Sequence, residues 1–271
     1  MDETPFPAPD RPTADDPAPE VPERRRRLVV PVTVAATSAV AALALALTAP
    51  GSSNTPSAGP SGKPGTNASA APSPARSGEL VAPDPELAKT ARRTPGDPMA
   101  IGAVDAPVVM VEYSDFACTY CRKFALETEP ALIARYVDAG LLRIEWRDFP
   151  YLSEGSKRAA LAGRAAAKHG KFWEFQQALF QDSAGEDRFE LYNLAKIATA
   201  VGIDAKDFAA DMADKATYDA VRTDFEEGQA IGVSATPSFI VNGRPFTGAQ
   251  PLEAFAKVIE LAAVEAGAPL P

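Results

Sequence analysis

The sequence predicts an α/β domain in which a βαβ unit and a ββα unit share one central mixed sheet, with a helical block inserted between them. Three observations carry this expectation. The run Val108-Val109-Met110-Val111-Glu112-Tyr113 is almost continuously apolar, as in a strand buried on both faces, and two cysteines and a helical pattern follow within a few residues. Residues 153–229 are helical in pattern nearly throughout. Strand character returns at Ser238-Phe239-Ile240-Val241, turns at Asn242-Gly243 and resumes at Pro245-Phe246-Thr247 before a last helix over 251–266.

Taken from the start, the chain of 271 residues divides by composition. Residues 1–27 are rich in Pro, Asp, Glu and Ala and end in Arg24-Arg25-Arg26-Arg27, a composition that buries too little surface to offset the entropy of ordering. They are expected to be a disordered cytoplasmic terminus. Residues 28–49 then run without a charge, long enough as a helix to cross a bilayer. The arginines orient such a single transmembrane signal anchor with everything after Pro50 outside. A cleaved signal peptide, leaving a secreted protein, is the alternative reading of the same Ala-rich segment. Residues 50–80, rich in Pro, Ser, Gly and Ala, form a tether with a reach on the order of 30 Å.

The folded part, 81–271, is where the elements accumulate. A short helix is expected near 85–93, a central strand at Val108-Tyr113, a helix from Cys118 to Asp138 stopped by Gly140, and a strand over 141–149 ended by Pro150. The inserted helical region, about 153–231, should break at His169-Gly170, at Ser183-Ala184-Gly185 and at Gly202. The net charge of −9 is that of residues 79–271, and no basic stripe with interleaved aromatic residues occurs, which argues against nucleic-acid binding.

The two cysteines stand three apart, as Cys118-Thr119-Tyr120-Cys121. A disulfide closing so short a loop restrains little of the unfolded chain, so a structural role is not expected. Half a zinc site is also a poor fit, since the only further soft ligand in the chain is one histidine, His169, at an expected helix end. A cysteine at the first turn of a helix faces unpaired N–H groups that favour thiolate, which suits Cys118 to be a nucleophile. Cys121 lies one turn deeper on the same face, placed to resolve a mixed disulfide.

The segment from Glu112 through Cys118-Thr119-Tyr120-Cys121 to Arg122-Lys123-Phe124 resembles the active-site region of the bacterial DsbA/DsbG-like thiol–disulfide oxidoreductases, whose thioredoxin-like fold carries a helical insertion. Arg147-Asp148-Phe149-Pro150, Gly170-Lys171-Phe172-Trp173 and Gly232-Val233-Ser234-Ala235-Thr236-Pro237-Ser238-Phe239 resemble further segments of that family, in its order, over roughly 95–266. The resemblance implies a cis bond at Thr236-Pro237, packed on the cysteine pair where an extended substrate pairs with the backbone. It also implies that Glu112 is an acid beneath the site that exchanges protons with the inner thiol. Thr119 departs from the proline usual at that position, and with Thr236 it leaves the direction of electron flow open.

A disulfide donor to exported proteins, acting as a monomer and reoxidised by a quinone-linked membrane partner, is the leading expectation. A membrane-tethered reductase or isomerase fed by a membrane electron donor uses the same residues in reverse. From another class, a non-catalytic peptide-binding or Cu(I)-handling module would use the two sulfurs as soft ligands. The leading expectation calls for no cofactor and no resident metal.

Overall fold

A computed structural model describes residues 81–183 and 185–271. The expected terminal segment, membrane anchor and tether all lie outside the described residues, and no helix among the described residues is long and apolar enough to cross a membrane. The described residues form a five-stranded sheet in the order β1-β3-β2-β4-β5, with β1 Ala100–Ile101, β2 Val108–Ser114, β3 Leu142–Asp148, β4 Ser238–Val241 and β5 Arg244–Thr247. Only β2 and β3 run parallel, with Val108 opposite Leu142 and Ser114 opposite Asp148; the remaining neighbours are antiparallel. This is the βαβ plus ββα arrangement expected from the sequence.

Both central strands are buried along their whole length, which accounts for the missing alternation in β2; β3 alternates Leu142, Ile144 and Trp146 with Arg143, Glu145 and Arg147, and its buried charges pair with one another. Val109, Val111 and Tyr113 pack with Val221 and Phe225 of α8 (Lys215–Ala230) on one face. Val108 and Met110 pack on the other, with Phe124 and with Phe255 and Ile259 of α9 (Leu252–Glu265). By the period of two, Glu112 and Ser114 point to this second face. The hairpin is secured by Asn242 and Gly243, both at positive φ, 44° and 85°, as a tight two-residue turn requires. The Asn242 side chain also accepts from Val109 N at 2.8 Å and donates to Pro107 O at 3.0 Å.

The connection between β2 and β3 is helical but not uniform: α2 (Thr119–Lys123), a π turn over Phe124–Thr128, α3 (Glu129–Leu132) and a second π turn over Ile133–Val137. The insertion comprises α4 (Glu154–Lys168), α5 (Phe172–Gln181), a 3₁₀ turn over Gly185–Phe189, α6 (Leu191–Ala200), α7 (Ala205–Met212) and α8. One break was not legible in the pattern. Asp214 caps α8 by accepting from Ala216 N, separating it from α7 where the apolar periodicity runs on.

The expected helix over 85–93 is shorter: α1 spans Pro85–Ala88. Its continuation is diverted because Arg92 N and Arg93 N donate to the Glu145 carboxylate on β3 at 2.9 and 2.8 Å, and Arg93 takes φ 47°. Glu145 is itself buried and accepts from Arg143 and Arg147 at 2.9 and 2.8 Å. A buried carboxylate with four donors thus decides the local backbone over helix propensity. β1 is too short for its two residues to show any periodicity.

Candidate active site

The cysteine pair sits where β2 gives way to α2. Asp115, next after the strand, is buried, and its carboxylate accepts from Ala117 N at 2.8 Å and from Tyr151 N and Leu152 N at 3.1 and 3.2 Å. One side chain therefore fixes the turn into the helix and ties it to the loop after β3. Burial nevertheless raises the Asp115 pKa, against the pull of these donors. Phe116 wedges among Trp146 and Phe180, ring centroids at 5.0 and 5.2 Å, while Arg122 donates to Phe180 O at 2.5 Å. The insertion is thereby clamped to the base of the cysteine turn.

Cys118 is the N-cap of α2 and 6 % exposed; Cys121 is fully buried one turn on. Both are free thiols. Cys118 Sγ accepts from Cys121 N at 3.4 Å and lies 3.2 Å from Thr236 O, to which the thiol donates. Its pKa is lowered to about 6, foremost by a hydrogen bond from the Cys121 thiol, then by Thr236 and the N–H groups of Cys121 and Tyr120, against the opposing effect of burial. Cys121 is shifted the other way. Its burial, and the hydrogen bond and charge of Cys118, push its pKa up, while Asp115 N reaches its sulfur at 3.5 Å. The sulfur nearer the rim is thus the more acidic of the two and the one beneath it the less acidic.

Thr119 and Tyr120, between the cysteines, are exposed, Tyr120 by 64 %. Thr236-Pro237 is a cis peptide bond, both residues are buried, and the Thr236 carbonyl meets Cys118 across the site. Glu112 is fully buried, and neither of its oxygens has a hydrogen-bond partner among the described residues. Burial, then the charge of Glu129, and lastly that of Cys118 raise its pKa well above the usual carboxyl range, with only Ser114 acting the other way. The structure thus brings Cys118 into contact with Cys121 and with Thr236, the residue before Pro237 across the cis bond, and sets Glu112 within the electrostatic reach of Cys118.

Sequence reasoning passed over Ser114, Asp115 and Glu129 as parts of the site. Glu129 carried a signal: Ala125, Glu129, Leu132 and Tyr136 follow one helical face, so a glutamate stands at an apolar position. His169 lies at the surface, where its Nε2 is 2.9 Å from Asp211 Oδ2 at the end of α4.

A protein-family model described as Thioredoxin matches residues 94–261. The probable disulfide bond formation protein D of Bacillus anthracis is 33 % identical over 152 residues, which cover 53 % of this chain and 69 % of that protein. The Na(+)/H(+) antiporter NhaA 3 of Salinispora tropica is 33 % identical over 160 residues, 58 % of this chain; the chain spans 24 % of the length of that antiporter. Among solved structures, Wolbachia pipientis alpha-DsbA1 superposes with a TM-score of 0.55 and 25 % identity, covering 64 % of this chain and 94 % of that one.

Proposed function

The chain belongs to the thioredoxin family, among its DsbA-like thiol–disulfide oxidoreductases, and from that premise we propose that it donates disulfides to exported proteins through Cys118 and Cys121. A substrate thiolate attacks Cys118 of the oxidised pair, Cys121 leaves, and the substrate's second thiol then displaces Cys118 to complete its own disulfide. Thr236 and Pro237 present backbone beside the reacting sulfur, and exposed Tyr120, Tyr151 and Leu152 give an apolar rim on which an unfolded client can rest. Glu112 exchanges protons with Cys121. A single transmembrane anchor over 28–49, with the catalytic domain outside on the tether of 50–80, accords with this role, as does a membrane oxidant that restores the disulfide. The fit to a quinone-linked oxidase and to a monomeric protein rests on the family resemblance.

The observation that carries the donor direction is the opposed pair of thiols. Stabilising thiolate at Cys118, with a pKa of about 6, stabilises the reduced form, so the disulfide is a stronger oxidant than an unperturbed pair. Equilibrating the protein against glutathione buffers tests this. The potential is expected well above the roughly −270 mV of thioredoxin, toward about −120 mV. A value at the lower figure would instead make the protein a reductase and turn the search to an electron donor in the membrane.

A further inference from the structure

Beneath the cysteine pair lie two carboxyls and no cation. Glu112 and Glu129 are both fully buried, and among the described residues neither is ion-paired. Three of their four oxygens, both of Glu112 and Oε1 of Glu129, are without a hydrogen-bond partner. The fourth, Glu129 Oε2, accepts from Gln176 at 3.1 Å and Gln177 at 3.5 Å, both amides carried on α5. Gln177 is partly exposed and also donates to Ala125 O at 2.9 Å, so the second carboxyl adjoins the edge of the packed core. The surrounding elements add little charge. Lys171 and Glu174 of α5 are paired with each other at 2.9 Å, Arg122 of α2 is committed to Phe180 O, and the register neighbours of Glu112 on β3 and β4 are Trp146 and Phe239. The remaining titratable group that acts on the pair is Cys118, whose charge reaches Glu112. Ser114 Oγ influences both Glu112 and the Cys121 sulfur but makes no hydrogen bond of ordinary length to either.

Two buried carboxyls without a counter-ion cannot both ionise at small cost, so the pair holds at least one proton. The donors decide where a negative charge can rest: every one of them is on Glu129. We propose that Glu129, acting through Glu112, is a positioning residue that receives the negative charge released inside the protein when the Cys118–Cys121 disulfide opens. The inference rests on the disulfide-exchange reading above. A substrate thiolate forms a bond to Cys118 sulfur, the Cys118–Cys121 bond breaks, and its electron pair goes to Cys121 sulfur. Cys121 takes the proton of Glu112, Glu112 takes the proton of Glu129, and the charge brought by the thiolate ends on Glu129 under the two glutamine amides. The reverse attack by Cys121 returns both protons.

Burial raises the Glu129 pKa to about 7 against the pull of Gln176 and Gln177, which places its titration within the working range. Opening of the oxidised full-length protein by reduced glutathione, followed from pH 5 to 9 and corrected for glutathione thiolate, is expected to fall about tenfold per pH unit above an inflection near 7. Glu129→Gln should lose that inflection and Glu129→Asp should restore one. A merely structural role would lower the rate equally at every pH. Infrared difference spectra of the unsubstituted protein provide a second reading that needs no variant. Raising the reduced protein from pH 6 to pH 8 should convert one protonated carboxyl to carboxylate. An inflection retained in Glu129→Gln, or no carboxyl change between pH 6 and pH 8, overturns the role of Glu129 while leaving disulfide exchange intact; failure of glutathione to open the disulfide at any pH overturns both.

Discussion

Cys121→Ala is expected to accumulate a covalent mixed disulfide between Cys118 and a client, with turnover reduced on the order of 10³-fold or more. The reason is the division of labour between the two sulfurs. Cys118 keeps its N-cap position, its contact with Thr236 O and the backbone N–H of residue 121, so it can still be attacked or attack. What is lost is the buried thiol one turn below, which would displace the client from Cys118. The removed hydrogen bond from the Cys121 thiol, the largest influence lowering the Cys118 pKa, should also bring that pKa back up from about 6. Cys118→Ser, by contrast, should trap nothing and transfer nothing, because a hydroxyl forms no disulfide. Non-reducing electrophoresis of each variant after mixing with an oxidised or reduced client distinguishes the patterns. Trapping by Cys118→Ser in place of Cys121→Ala would exchange the two roles.

Glu112→Gln is expected to stabilise the protein at pH 8 by about 1–4 kcal/mol while slowing disulfide exchange by roughly 10²-fold. Glu112 and Glu129 have folded-state pKa values above their unfolded ones, so between about 4.5 and the raised values the folded chain binds more protons than the unfolded chain. Their contribution to stability is therefore full below pH 4.5 and is lost as the pH rises. For Glu129 the change from 4.5 to about 7 corresponds to roughly 3 kcal/mol over that interval. Replacing Glu112 by an amide removes the carboxyl whose pKa is raised by burial and by the charge of Glu129, which should flatten the decline, while Glu129, raised by its own burial, keeps its part of it. Urea unfolding at pH 5 and pH 8 measures both. Equal destabilisation at the two pH values would mean that Glu112 is a packing residue whose charge has no part in the site.

The parts of the fold set by long-period patterns were legible from the residues. A continuous apolar run marked β2, the segment ended by Pro150 marked β3, and Asn242-Gly243 marked the hairpin because both turn residues must accept positive φ. The elements that escaped are decided by single polar contacts across the fold. Glu145 shortens α1 by capturing Arg92 N and Arg93 N, and Asp214 starts a new helix inside a continuous apolar pattern. The same division holds at the site. Cys118, Cys121 and Thr236-Pro237 stand out as motifs, whereas Glu129 shows in the sequence only as a glutamate on an apolar helical face, and its partners Gln176 and Gln177 come from the fold. Sequence spacing alone does not fix which polar side chain a buried carboxyl will meet.

The account turns on Cys118 being the more accessible and more acidic partner of a fully buried Cys121, and the pH dependence of alkylation tests it most directly. The reduced protein, treated with iodoacetamide from pH 4 to 10 and digested for mass analysis, should be modified at Cys118 alone, with the rate half-maximal near pH 6. Modification of Cys121 first, or a Cys118 profile half-maximal near the ordinary thiol value of about 8.5, would contradict it.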